Sequence, residues 1–263
     1  MIQLPTENEA SSQRLIFGLN FTPMTQAALV NEVLSTPASE VRMIATCNLD
    51  HVVNLHRDSV FRAAYNTAWK ITVDGAPVFL YQRLSGGRVP ERVTGADFFP
   101  ALMRGFNATQ HRPFYLTSND EVGRALEADL LSRGCHLDYT PYFTLPFGFE
   151  RDSGITETIL ATIEAAAPTH LFLGVGSPKS EKWAAQYRDR LAPMYVLPVG
   201  AALEFHVGHK RRAPKLIRRI GLESVWRLLS EPRRLWRRYM LDSWTFIAAI
   251  RADRRYAATL TKS

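Results

Sequence analysis

Apolar and polar positions alternate along this chain in two rhythms. Short, nearly continuous apolar runs fall at Val41–Asn48, Lys70–Val73, Pro113–Thr117, His136–Tyr142, His170–Val175 and Met194–Val199. Such runs read as strands buried on both faces. Between them, apolar residues at helical spacing mark Leu49–Thr67, Pro77–Leu84, Asp97–Phe106, Asp120–Gly134, Ile155–Ala166 and Glu181–Leu191. Strands alternating with amphipathic helices predict an α/β fold: a Rossmann-like parallel sheet with helices on both faces. Ligands in such sheets bind beyond the carboxyl ends of the strands, so the residues just after each strand are the candidates for chemistry.

The pattern changes after about Gly208. Residues 209–263 keep helical spacing, contain no strand candidate and hold Trp226, Trp236 and Trp244. They predict a basic helical appendage on an α/β domain of residues 1–208. Charge sharpens this boundary. Of a formal net charge of +7, the stretch from Lys210 to Arg255 carries 14 Lys/Arg against 4 Asp/Glu, a local +10, and the remainder is −3. A basic segment of this kind seeks phosphate, in nucleic acid, anionic lipid or a diphosphate ligand. No run of 18 apolar residues offers a transmembrane helix, and the first residues lack the basic start and apolar core of a secretory leader. Two cysteines make no disulfide framework, and Cys47, inside an apolar run, is expected to be a small buried residue rather than a nucleophile.

The strand ends carry the candidate site. Thr46 and Asn48 close the first strand, where they can hold a sugar or phosphate; Asn48 can equally cap the next helix. Asp74-Gly75 closes the second strand and places a carboxylate at its mouth as a candidate general base, or alternatively as a turn residue before Pro77. Arg92, Thr94, Gly95 and Asp97 then join an arginine, a hydroxyl and a carboxylate in one loop. Arg92 suits a phosphate or carboxylate, although Asp97 can also cap the helix that follows. After the fifth strand, Gly176, Ser177, Pro178, Lys179, Glu181, Lys182 and Trp183 form a glycine-bearing turn into a helix, a candidate diphosphate cradle. It matches neither the Walker pattern nor GxGxxG, which disfavours a nucleoside triphosphatase and a dinucleotide dehydrogenase. Gly200 and Glu204 follow the last strand and can line the same cleft. The seven histidines and two cysteines show no metal-ligand spacing, and Glu127-Ala128-Asp129 is expected to be solvated helix surface. No metal and no cofactor are expected.

Taken together, TCNLDHVV, TVDGAPV, PERVTGADFFPAL, LFLGVGSPKSEKW and VGAALEFHVGHKRRAPKLIRRIGLESVWRLLSEPRRLWRRY resemble the WecG/TagA/CpsF family, glycosyltransferase family twenty-six. The order and spacing of these blocks cover roughly residues 14–250. The resemblance implies a metal-independent, inverting transfer from a UDP-sugar to an undecaprenyl-diphosphate-linked saccharide, in exopolysaccharide or cell-surface polysaccharide synthesis. It makes Asp74 the catalytic base, Thr46 and Asn48 its neighbours and Arg92 a functional arginine. It gives the tail arginines, with Arg227, Arg233, Arg234, Arg237 and Arg238 as candidates, a part in membrane attachment and in closing the site.

An anionic membrane surface is thus the expected partner, at the cytoplasmic face of the inner membrane, with peripheral attachment. A homo-oligomer is compatible with these features. Two departures bear on the donor: Ser180 stands where the family often has Gln, and Thr117-Ser118 where it often has Gly-Gly. Both UDP-glucose, forming a β-1,4 bond, and UDP-N-acetylmannosamine or its uronate therefore stay open. A nucleic-acid binder, a cofactor-using α/β enzyme such as a dehydrogenase and a non-catalytic scaffold are the rival readings. A nucleic-acid binder gives the strand-mouth Asp no role, and nucleic acid is not expected as a partner.

Overall fold

Six parallel strands form one sheet among the described residues of the computed structural model: β1 (Val41–Cys47), β2 (Lys70–Val73), β3 (Pro113–Thr117), β4 (Tyr142–Thr144), β5 (His170–Leu173) and β6 (Met194–Pro198). The structure describes residues 14–214, 216–217, 223, 226, 244–255 and 257. The strand order is β2-β1-β6-β5-β3-β4, so both β1 and β6 lie inside the sheet with their carboxyl ends side by side. β3, β5 and β6 are buried along their whole length, which is why their sequences are apolar at successive rather than alternate positions.

Among the described residues, helices that connect or flank these strands include α1 (Gln26–Ser35), α2 (Leu49–Arg57), α3 (Ser59–Asn66), α4 (Ala76–Leu84), α5 (Gly95–Gly105), α6 (Asp120–Ser132), α7 (Ser153–Ala166), α8 (Lys179–Gln186) and α9 (Ala202–His206). Ile44, Tyr115, Phe172 and Tyr195 pack under α1, α5, α6 and α9. Met43, Phe114, Leu171 and Val196 pack under α7 and α8, and Ala45, Cys47 and Val73 pack with α2, α3 and α4. The side-chain period of two thus feeds both covered faces.

The sequence-based elements differ from the fold in four places. The fourth strand is Tyr142–Thr144, not His136–Tyr142. Leu137 and Tyr139 use their apolar bodies to pack on the core from a loop, and the Tyr139 hydroxyl donates to the Pro113 carbonyl at 2.8 Å. The single long helix expected over Leu49–Thr67 is two, because Asp58 ends α2 and accepts from Phe61 N–H at 3.0 Å to cap α3. The helix expected to reach Leu191 stops at Gln186, followed by a 3-10 turn at Arg188–Arg190. Finally, α1 was not expected; it is capped by Thr25 and buries Leu29 and Val33.

Much of residues 209–263 lies outside the described residues. The helical stretch 244–255 is described, and it packs onto the α/β core. Phe246 and Ala249 join Ile16, Phe17 and Tyr81 there. Its Asp253 accepts from Phe17 N–H at 2.5 Å and from the Tyr81 hydroxyl at 2.9 Å.

Candidate active site at the carboxyl edge of the sheet

The mouths of β1 and β2 touch. Asp74 N–H donates to the Cys47 carbonyl at 2.9 Å, extending the parallel pairing by one step. A side chain on Gly75 would bring its Cβ to 3.3 Å from Asn48 Cβ, so glycine lets the loop carrying Asp74 close onto the loop carrying Asn48. Asn48 caps α2 by accepting from His51 N–H at 3.2 Å. That bond uses the amide oxygen, which leaves the amide N–H₂ for other work. Arg92 precedes a segment anchored to β2: Val93 N–H donates to the Val73 carbonyl, and Thr72 Oγ1 donates to the Val93 carbonyl at 3.0 Å. Asp74, Asn48 and Arg92 are each half-buried.

Behind this edge the chain turns tightly. A Cβ on Gly95 would lie 3.4 Å from the Val199 carbonyl oxygen and 3.7 Å from Thr46 Oγ1. The ends of β1 and β6 and the start of α5 therefore meet at one point. Gly176 and Gly200 both adopt positive φ, +78° and +51°, where other residues are strained. Gly200 sits against Gly176, so the turns after β5 and β6 pack on each other. Next to them, Thr117, Ser118, Gly174, Leu203 and Glu204 line a shallow crevice.

A buried polar cluster lies under the β1 mouth. Tyr65 Oη is 2.5 Å from His51 Nδ1, and His51 Nε2 is 3.7 Å from Glu181 Oε1. Glu181 is 2 % exposed. Burial, reinforced by the Asp50 carboxylate, pushes its carboxyl up to about 7, against smaller opposing help from its own backbone and Ser177. The Ser177 hydroxyl and the second Glu181 oxygen are buried without a geometrically sound hydrogen-bond partner. Burial and the negative field of Asp74 raise the Cys47 thiol far above its ordinary range, so Cys47 is an uncharged core residue, as its apolar setting predicts.

The chain between residues 14 and 259 matches the family model described as the glycosyl transferase WecG/TagA/CpsF family. This chain belongs to that family. It is accordingly a glycosyltransferase. Among its relatives, the N-acetylglucosaminyldiphosphoundecaprenol N-acetyl-beta-D-mannosaminyltransferase of Staphylococcus aureus strain MRSA252 is 24% identical over 228 residues, 84% of this chain and 86% of that protein. The proteins of the same name from strains MW2 and NCTC 8325 are each 23% identical over the same shares.

In this transferase the fold brings Thr46, Asn48, Asp74, Gly75, Arg92, Gly95, Gly176 and Gly200 to one edge. Several other expected site residues are engaged within the protein. Glu181 and Trp183 face inward, each 2 % exposed, and the Trp183 ring belongs to the core under β5. Both expected substrate-binding residues thus have their side chains in the interior of the protein. Their side chains fall on the inward side of α8, and reading Glu181–Leu191 as a helix did not fix which of its faces turns inward.

Lys179 pairs with Glu150 at 2.8 Å, and Lys182 with Asp58. Both cations are thus held by carboxylates rather than presented alone to a diphosphate. Glu204 binds Lys210 Nζ at 2.7 Å. Thr94 caps α5, accepting from Asp97 N–H at 3.1 Å and donating to Asp97 Oδ2 at 2.8 Å.

Sequence reasoning missed three participants. His51 and Tyr65 carried a legible signal only as polar residues on otherwise apolar helix faces. Arg212 was one of many tail cations, yet it reaches Thr94, the Ala96 carbonyl, Asp97 and Glu223. Arg227, Arg233, Arg234, Arg237 and Arg238 lie outside the described residues. Among the described residues no group of three or more His, Cys, Asp and Glu is arranged to hold a metal, and no helix is long and apolar enough to cross a membrane.

Proposed function

We propose that this glycosyltransferase moves one sugar from a UDP-sugar to an undecaprenyl-diphosphate-linked saccharide, with inversion at the anomeric carbon and without a metal. The observation that carries the reading is the closure of the β1 and β2 mouths, which sets Asp74 beside Asn48 at the carboxyl edge where α/β sheets receive ligands. The activity named for the relatives supports a lipid-linked acceptor.

In this reading Asp74 removes the proton from the acceptor hydroxyl as that oxygen attacks the anomeric carbon. The C–O bond to UDP breaks on the opposite face, and its electron pair leaves with the diphosphate. General-base assistance is worth about 10²–10⁴-fold. Thr46 and Asn48 hold polar groups of the sugars, and Arg92 binds an anionic oxygen. The leaving diphosphate is met by the N–H groups that open α8 after Gly176 and by arginines of the tail, because Lys179 and Lys182 are already paired. The same tail attaches the protein to anionic lipid at the cytoplasmic face of the membrane.

The test is a donor screen. The protein is incubated with UDP-glucose, UDP-N-acetylmannosamine and its uronate together with lipid-diphosphate saccharide acceptors, and products are weighed by mass spectrometry. A lipid acceptor heavier by one hexose, N-acetylhexosamine or N-acetylhexosaminuronate unit supports the reading. Hydrolysis without transfer, or transfer only from a donor lacking UDP, overturns it.

A further inference from the structure

Glu181 presents an unusual combination. It is a carboxyl group in the first turn of α8, its oxygens are shielded from water, and a histidine from another helix lies 3.7 Å from one of them. Its burial keeps both oxygens off the protein surface. A group so placed destabilises the fold unless its partners compensate. Three elements converge to do so: α2 supplies His51, α3 supplies Tyr65 and α8 supplies Glu181.

The placement of these residues in the chain gives the cluster its meaning. His51 lies in the turn that Asn48 caps, three residues beyond it, and its own N–H makes that cap. Glu181 lies in the turn that follows Gly176–Pro178, and the helix it opens packs against α3 and β6. Tyr65 fixes the imidazole from behind through Nδ1, which aims Nε2 at Glu181. Outside the cluster, Lys182 reaches Asp58 at the α2–α3 corner and ties the same two bodies again. The β1 mouth and the α8 N-terminus are thus connected through buried polar groups rather than through loop backbone alone.

We propose that His51, Tyr65 and Glu181 are positioning residues, a buried brace that sets the α8 N-terminus against the β1 mouth and so fixes the distance from the Asp74 base to the departing diphosphate. This rests on the assignment of Asp74 as base and of the α8 N–H groups to the diphosphate. A misplacement of about 1 Å between reacting groups costs on the order of 10²-fold in rate, so a brace between the two halves of the site acts on turnover more than on donor binding.

The brace also carries a proton. The groups that face Glu181 are His51 and Asp50 from α2, Tyr65 from α3, Cys47 from β1 and Ser177 from its own turn; Asp74 faces Cys47 and Tyr65 from the β2 mouth. Cys47 and Tyr65 stay neutral, their protons held by burial. With its carboxyl raised to about 7 by burial, Glu181 keeps its proton up to about neutrality. Loss of that proton leaves a second negative charge beside Asp50, which loosens α8 from α2.

The experiment compares wild type with Glu181→Gln and Tyr65→Phe, both near-isosteric, in steady-state transfer from pH 5.5 to 9. The expected result is a kcat lower by about tenfold in Tyr65→Phe, a donor KM changed by less than about twofold in both variants, and a Glu181→Gln variant that keeps kcat near wild type below pH 7 but lacks the alkaline limb that wild type shows above about pH 7. Thermal melts of the same samples separate a merely structural role, which moves the melting temperature and leaves kcat and the pH profile as in wild type. That structural outcome overturns the proposal. A wild type inert toward every UDP-sugar sinks the transfer reading and the brace with it, whereas an active wild type with unaltered variants sinks the brace alone.

Discussion

Arg212 grips Asp97 across 115 positions of chain, with its two terminal nitrogens 2.6 and 3.0 Å from the two carboxylate oxygens. The pair is half-buried, and Arg212 also reaches Thr94 Oγ1 at 3.3 Å and the Ala96 carbonyl at 3.1 Å. The first residues of the basic tail are therefore clasped to the loop that holds Gly95 against Thr46. A two-pronged guanidinium–carboxylate contact combines charge with fixed geometry, which a lysine at the same place does not reproduce.

Removing the clasp has a measurable cost. Arg212→Ala is expected to lower stability by roughly 1–3 kcal/mol, the usual range for losing hydrogen bonds to a charged group. Turnover should fall as well, because the Thr94–Asp97 turn shoulders the strand mouths. Arg212→Lys should recover only part of either. Urea denaturation and initial rates on the same preparations read both effects, and an alanine variant that matches wild type in each would show that the clasp carries no weight.

Asp74→Asn preserves shape and removes the base. The variant is expected to fold and to bind UDP as wild type does, while kcat drops by about 10²-fold or more. Calorimetric titration of UDP alongside kcat separates the two quantities. A folded variant with near-normal turnover would take Asp74 out of the base role.

Transfer should persist in excess EDTA, since neither the spacing of ligand-type residues in the sequence nor their arrangement among the described residues offers a metal site. Activity abolished by the chelator and restored by magnesium or manganese would contradict this.

The tail prediction rests on sequence alone. Changing Arg233, Arg234, Arg237 and Arg238 together to Glu should release the protein from vesicles rich in anionic phospholipid and slow transfer to a lipid acceptor. Each basic residue at such a surface contributes on the order of 1 kcal/mol, so four reversals exceed what reversible attachment can absorb. A variant that still sediments with vesicles at physiological salt and stays fully active would remove the membrane role.

Stability should follow pH through Glu181. Its carboxyl is raised from 4.5 to about 7 in the folded protein, so the native state holds a proton that the unfolded chain gives up. That contribution is complete below pH 4.5 and is lost as pH rises through about 7. His170, held neutral by burial with its value lowered to about 3, acts in the opposite sense and costs stability as pH falls below 6.5. Wild type alone therefore shows a muted dependence. The difference between Glu181→Gln and wild type isolates the carboxylate: the variant's advantage in melting temperature should be small at pH 5 and larger at pH 8. A constant difference across that range would mean that Glu181 does not titrate in the folded protein.

The sequence alone determined the alternation of strands and helices, the parallel sheet, and the identity of the strand-mouth residues. Each of these depends on local periodicity or on a turn residue next to its own strand. Asp74 and Asn48 could be picked out because a strand end, a glycine and a cap are short-range signals. The tail's charge was equally plain, because charge is additive along a sequence. The fourth strand misled because an apolar residue packs equally well from a strand or from a loop, and only backbone pairing, a long-range matter, distinguishes them. The Asp58 break was hidden because an acid inside a helical rhythm reads as exposed surface until its side chain is seen to cap the next helix.

Which side chains meet was decided by tertiary structure alone. Nothing local tells that Lys182 is taken by Asp58, that Arg212 finds Asp97, or that Glu181 turns inward toward His51. The direction of a helical side chain depends on how that helix is rotated against the sheet, and that rotation is set by packing over the whole face. Sequence spacing named the positions near the carboxyl edge. The close-packed interior then decided which of them remain at the surface for a substrate and which are buried to hold the edge in place.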